Sequence, residues 1–237
     1  MLHRTRAIVL RTIAHGDRSR VMQAYTQESG RRSYFARTGR KGGAAAAAFQ
    51  PLARVELTAQ GAPDRDLHQL REIRVDRPYR RVHADPVRGG VLLFLQELLV
   101  RVLREESPDP ALFAFLDDAL TELDEGPDPV LFPQLFLVQL SRHLGFFPEA
   151  PDGVGGRFDL KEGRFLNTAE HSGHAMDEDV GKALAYLLEV PIGGASDMVL
   201  PGDLRRRLLD QLLLYYRFHV EGLGELRSPA VLHQVLH

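Results

Sequence analysis

Leu52-Ala53-Arg54-Val55-Glu56-Leu57-Thr58 is the stretch on which the fold turns, because Val55 and Leu57 alternate with Arg54, Glu56 and Thr58. A period of two marks a strand that packs one face and wets the other. Four more short β-rich runs flank it. Ala7 to Ile13 comes first, Arg20 to Thr26 follows a turn at Gly16-Asp17, and Arg31 to Arg37 follows Gly30. A Gly and Ala loop, Gly39 to Ala48, leads into the quoted stretch, and Leu67 to Val75 follows a turn at Gly61 to Asp66. Five strands at these spacings predict a five-stranded OB-type barrel over residues 1–80, although an SH3-like barrel has nearly the same pattern.

Beyond residue 80 the period changes. Asp85-Pro86, Asp109-Pro110, Asp128-Pro129 and Ser228-Pro229 each set an N-cap oxygen before a proline, whose missing N–H costs nothing at the first helical position. Behind these pairs the sequence predicts helices at Val91 to Leu103, Ala111 to Leu123, Val130 to Leu144 (closed by Gly145) and from Ala230 onward. Two more are expected at Glu178 to Leu188 and Leu204 to Val220. In the latter, Leu204, Leu208, Leu212 and Tyr215 or Tyr216 recur at helical spacing. Residues 148–176 read as a loop-like insert with a small hairpin, Phe158 to Phe165, turning at Gly163. The expected fold class is α+β: a barrel over 1–80, then an all-α domain over 81–237 carrying this insert.

Charge follows the same division. Residues 1–80 hold 16 lysines and arginines against 7 aspartates and glutamates, a net of +9; the remainder holds 14 against 25, a net of −11. The imbalance points to a polyanion partner for the first part and a different role for the second. No cysteine is present, which excludes disulfides, cysteine-based zinc fingers and thiol catalysis. No run of 18 apolar residues occurs, so a soluble cytoplasmic protein is expected.

Sites for bond chemistry are scarce. Gly39-Arg40-Lys41-Gly42-Gly43 has neither the spacing nor the hydroxyl of a phosphate-binding P-loop. His171 and His174 lack a second ligand pair spaced to complete a metal site. The acidic pairs Glu105-Glu106, Asp117-Asp118 and Asp177 to Asp179 fall on helix surfaces or ends, where a metal-dependent nuclease remains the rival reading. The expectation is a protein that is not an enzyme and needs no cofactor. The basic half offers more. Arg18, Arg20, Arg31, Arg32, Arg37, Arg40, Lys41 and Arg54 lie on or beside the second, third and fourth strands, with Tyr34 and Phe35 interleaved. Arginine to phosphate and aromatic to base is the combination used by single-strand binders. Alternation turns one of Tyr34 and Phe35 outward, and Tyr34 is the ring placed among the expected DNA-binding residues. A single-stranded RNA-binding OB protein fits the same pattern.

Several strings resemble the RecO family of recombination mediators. Thr5-Arg6-Ala7-Ile8-Val9-Leu10-Arg11-Thr12, His15-Gly16-Asp17, Tyr25-Thr26 and Gly30 are similar to its opening strands. Ala36-Arg37, Gly39-Arg40-Lys41 and Phe49-Gln50-Pro51-Leu52 resemble its basic loop and return strand. Leu112-Phe113, Leu123-Asp124, Leu140 to Pro148, and Leu213-Leu214-Tyr215-Tyr216 with His219 resemble its helical part. The resemblance implies an OB-fold that binds single- and double-stranded DNA and anneals complementary strands. It also implies binding to RecR and help in loading a RecA-type recombinase onto DNA coated by single-strand-binding protein, at the nucleoid. The helical domain would then take the acidic tail of single-strand-binding protein, with Arg142, Arg205, Arg206 and Arg207 as candidates. Many relatives carry a four-cysteine zinc site where this chain has residues 148–175. The chain therefore resembles a zinc-free branch, its insert held by packing through Phe158, Leu160 and Phe165.

Overall fold

A computed structural model describes residues 2–16, 19–37, 44–62, 66–104, 107–153, 155–167, 170–194 and 199–235. The chain begins with β1 (Leu2–Ala14), β2 (Ser19–Thr26) and β3 (Gly30–Arg37), followed by a short helix α1 (Ala44–Ala47) and then β4 (Arg54–Gln60) and β5 (Leu67–Arg77). These strands close into a barrel in the order β1-β2-β3-β5-β4, with β1 antiparallel to both β2 and β4 and a short parallel pairing of β3 with β5. That order is the OB topology rather than the SH3-like one.

The inward set is small and apolar: Ala7, Val9, Met22, Ala24, Tyr34, Ala36, Val55, Leu57 and Ala59 fill the interior. Alternation in the quoted stretch is therefore real for Val55 and Leu57. The regular strand starts at Arg54 rather than Leu52 because Leu52 enters it with φ of 52°, in the left-handed region that costs a branched residue energy. Two bonds hold it there. Its N–H donates to the Val9 carbonyl at 2.8 Å, and its own carbonyl accepts from the Tyr79 hydroxyl at 2.8 Å.

The aspartate–proline pairs act as expected. Asp85 Oδ1 accepts from the N–H groups of Val87 and Arg88 at the start of α2 (Pro86–Val102), and Asp109 accepts from Leu112 at the start of α3 (Pro110–Glu125). Asp128 caps a 3-10 turn, Pro129–Leu131, that leads into α4 (Phe132–His143), and Gly145 beyond it takes φ of 83°. The hairpin β6 (Phe158–Asp159) and β7 (Arg164–Phe165) is followed by α5 (Glu178–Leu188), α6 (Gly202–His219) and α7 (Ser228–Val235).

Two compact units result, Met1–Leu120 and Thr121–His237. The division lies beyond residue 80, where the period changes, because the helices that follow the barrel pack onto it. Gln96 of α2 donates to the Leu10 carbonyl at 2.7 Å, and Arg6 reaches Asp117 of α3 at 2.8 Å. In the second unit Leu208, Leu212, Tyr215 and Tyr216 of α6 are buried, and the Tyr216 hydroxyl donates to the Leu137 carbonyl of α4 at 2.7 Å. The insert is held by rings. Phe158 and Leu160 are buried, Phe158 meets Phe165 at 5.1 Å and Tyr215 at 5.5 Å, and His219 bonds the Leu160 carbonyl at 3.0 Å. Gly181 of α5 lies so close to Gly156 that no side chain fits between them. Among the described residues no helix is long and apolar enough to cross a membrane.

Candidate nucleic-acid interface

A bulge in β1 between Val9 and Arg11 reverses which residues point outward. After it Arg11 and Ile13 face out, beside Gln23 and Val21 of β2. These pair with Ser33 and Phe35 of β3, and those in turn with Leu67 and Gln69 of β5. One outer row is thus Ile13-Val21-Phe35-Gln69 and the next is Arg11-Gln23-Ser33-Leu67. Ile13 and Leu67 are 45% and 47% exposed, Val21 and Phe35 are half-buried, and His15 stands edge-on to Phe35 at 5.8 Å. Arg11 lies on one side of the apolar row; exposed Arg37, paired with Ser19, lies on the other. An apolar strip left in water between two cations offers bases a stacking surface and phosphates a counter-charge.

The residues expected from sequence divide. Arg18, Arg40 and Lys41 lie outside the described residues. Arg37 is on the interface just described. Arg20 closes one end of the barrel interior with its guanidinium 5.6 Å from the Phe49 ring; Arg32 lies towards the other end and donates to the Arg31 carbonyl at 3.2 Å.

Three assignments are corrected. Arg31 turns away from the strip: it donates to the carbonyls of Leu103 at 2.9 Å and Val100 at 3.3 Å, closing the negative end of α2, and to Gln23 at 3.0 Å. Arg54 is only 4% exposed, covered by the Tyr79 ring at 4.9 Å and directed to Asp117 at 4.0 Å. Tyr34 is fully buried inside the barrel, so the outward ring is Phe35. The run Gly30-Arg31-Arg32-Ser33-Tyr34-Phe35-Ala36-Arg37 carries arginine in both phases, which hides this from local alternation. Arg11 and His15 were missed because the bulge shifts the phase of β1.

The Tyr34 hydroxyl has no hydrogen-bond partner among the described residues, and burial pushes its pKa up to about 12. An unsatisfied buried hydroxyl costs about 1–3 kcal/mol. Tyr34→Phe should accordingly leave denaturant stability unchanged or raise it by about 1 kcal/mol, with DNA affinity unaltered. A large loss of affinity would return Tyr34 to the interface.

In the second unit the four candidate arginines have separate engagements. Arg142 covers the Phe147 ring at 3.7 Å, and Arg205 donates to the Leu200 carbonyl at 3.1 Å. Arg207 spans Asp177 at 2.9 Å and Asp179 at 2.7 Å, which raises its own pKa and holds Asp179 below the usual carboxylate range. Arg206 is exposed on α6. His171 and His174 are exposed, His174 with its ring against Phe218 at 5.0 Å, and among the described residues no three His, Asp or Glu side chains converge as a metal-binding group.

Strand order and the helix between β3 and β4 define the class: an OB-type barrel, the group of small barrels whose second and third strands carry oligonucleotide sites. Residues 1–79 match the family described as Recombination protein O N terminal, and residues 83–229 match Recombination protein O C terminal. The protein named DNA repair protein RecO from Porphyromonas gingivalis is 31% identical over 236 residues, 96% of each chain. Its namesakes from Bacteroides fragilis and Flavobacterium johnsoniae are 32% identical over 241 residues and 30% over 235, covering 99% and 98% of each chain. The chain belongs to the RecO family.

Proposed function

We propose that the protein is a DNA-binding recombination mediator in recombinational DNA repair. It binds and anneals single strands and, with RecR, helps load a RecA-type recombinase onto DNA coated by single-strand-binding protein. The observation that carries this reading is the Ile13-Val21-Phe35 strip flanked by Arg11 and Arg37, on the barrel of a RecO-family chain. Its action is positioning, without bond chemistry. Asp117 and the pair Asp177 and Asp179, the described carboxylates best placed for a nuclease, are engaged by arginines instead. The acidic second unit repels DNA and takes protein partners, with Arg142 and Arg206, both exposed, among its candidates for the tail of single-strand-binding protein.

The test is an annealing assay on complementary strands coated with the cognate single-strand-binding protein. Wild-type protein should accelerate annealing. Phe35→Ala should weaken single-strand affinity by roughly 5- to 150-fold, the equivalent of one lost stacking contact of about 1–3 kcal/mol. Arg37→Ala should lower the log-log salt slope by about 0.7. No acceleration by wild type, or unchanged affinity in both variants, defeats the reading. Tighter binding to single-stranded RNA than to DNA of equal length would move the protein to RNA.

A further inference from the structure

Three successive rows of outward side chains cross the strands of the barrel beside the strip. Farthest from the strip, Tyr25 of β2 pairs with Arg31 of β3; next comes Arg11-Gln23-Ser33-Leu67, and then the strip row Ile13-Val21-Phe35-Gln69. Gln23, half-buried, thus stands between Arg31 and the strip. Arg31 donates from one terminal nitrogen to the Gln23 side-chain oxygen at 3.0 Å, while its other terminal nitrogen is held by the Val100 and Leu103 carbonyls at the end of α2. A guanidinium has donors only, so the Gln23 amide cannot turn over without setting N–H against N–H. Its oxygen stays with Arg31, and its NH2 group is left to the strip side, with no hydrogen-bond partner among the described residues. Arg11, next to it in the row, is exposed and equally restricted to donating. The other polar groups have no fixed sense. The Ser33 hydroxyl rotates, and no contact among the described residues fixes the amide of Gln69 at the end of the strip row.

We infer that Gln23, held by Arg31, reads the edge of a base stacked on the strip and selects the keto bases thymine and guanine over the amino bases cytosine and adenine. Thymine O4 and guanine O6 are acceptors, whereas the matching positions of cytosine and adenine are amino groups that donate. One row lies about 7 Å from the next along a strand, so a base on Phe35 and Val21 has its edge within reach of a glutamine side chain in the adjoining row. There the fixed NH2 group meets a carbonyl in thymine or guanine and a second donor in cytosine or adenine. The inference rests on the proposed single-strand binding and deepens it, since stacking and phosphate contacts alone are tolerant of sequence.

The test compares affinity for oligodeoxythymidine and oligodeoxycytidine of equal length, with the full chain at slightly alkaline pH, where cytosine is neutral. The two pyrimidines have rings of one size, so the ratio of their affinities isolates the edge. Wild-type protein should bind oligodeoxythymidine about 2- to 12-fold more tightly, the equivalent of one neutral hydrogen bond. Gln23→Met, which fills similar space without the amide, should erase the preference. Gln23→Glu keeps the contact with Arg31 and turns an acceptor to the strip, so the preference should reverse towards cytosine, whose amino group donates to a carboxylate. A folding defect weakens binding of both oligonucleotides together and does not reverse their order. Equal affinity for the two in wild type, or a thymidine preference that survives in either Gln23 variant, overturns the inference and leaves single-strand binding standing. A wild-type protein that binds neither oligonucleotide defeats the proposed function itself and the inference with it.

Discussion

Asp117→Ala is expected to destabilise the first unit by about 3–5 kcal/mol, read as a lowered denaturant midpoint. Asp117 is 6% exposed on α3, and three arginines from the barrel point at it: Arg6 at 2.8 Å, Arg77 at 3.2 Å and Arg54 at 4.0 Å. Most of the cost comes from Arg54, whose guanidinium is buried; Arg6 and Arg77 are partly in water and contribute less. Removing the carboxylate leaves positive charge in a poorly hydrated place and loosens α3 from the barrel. Asp117→Asn keeps the shape and loses the charge, so it should fall between wild type and alanine. A cost below about 1 kcal/mol for Asp117→Ala would mean that the arginines find water or other anions instead.

Gly181→Ala should be comparably damaging, against the ordinary trend. In a helix interior, alanine is favoured over glycine by about 1 kcal/mol. Here an added Cβ would overlap the Gly156 carbonyl oxygen and sit 2.9 Å from its carbon, so either α5 or the start of the insert must shift. Backbone cannot rotate aside as a side chain does. The expected net loss is about 3 kcal/mol, at the upper end for overpacking, with faster proteolysis within residues 148–176. Lys182→Ala, one residue on and half exposed, should change stability by no more than about 0.5 kcal/mol. If Gly181→Ala instead stabilises the chain, the close approach of α5 to Gly156 is wrong.

Elements whose cause is local were legible in the sequence. The aspartate–proline caps located helix starts to within a residue or two because capping is a contact between near neighbours. The hairpin turn at Gly163, φ of 72°, was marked by the glycine itself. What escaped depends on cover. Arg54, Glu56 and Thr58 share one phase of β4, yet only Arg54 is buried, because Tyr79 and Asp117 lie over that end of the strand. Arg31 read as one more surface cation until α2 supplied the carbonyls it closes. The bulge in β1 decided which residues form the outward strip: an inserted residue exchanges inside for outside, and the run Ile8-Val9-Leu10 gives no sign of where that happens.

The pairing of β3 with β5 involves only Ser33, Tyr34 and Phe35 with Leu67, His68 and Gln69. From Leu70 to Arg77, β5 therefore has β4 on one side and, among the described residues, no strand on the other. An unpaired strand edge is a template on which a second copy can add its own strand, the first step of sheet-to-sheet aggregation, and here α1 packs against part of β5. This one carries Arg71, Arg74 and Arg77, so two copies approaching edge to edge would set arginine against arginine. Barrels held close together at high concentration thus resist joining into a continuous sheet.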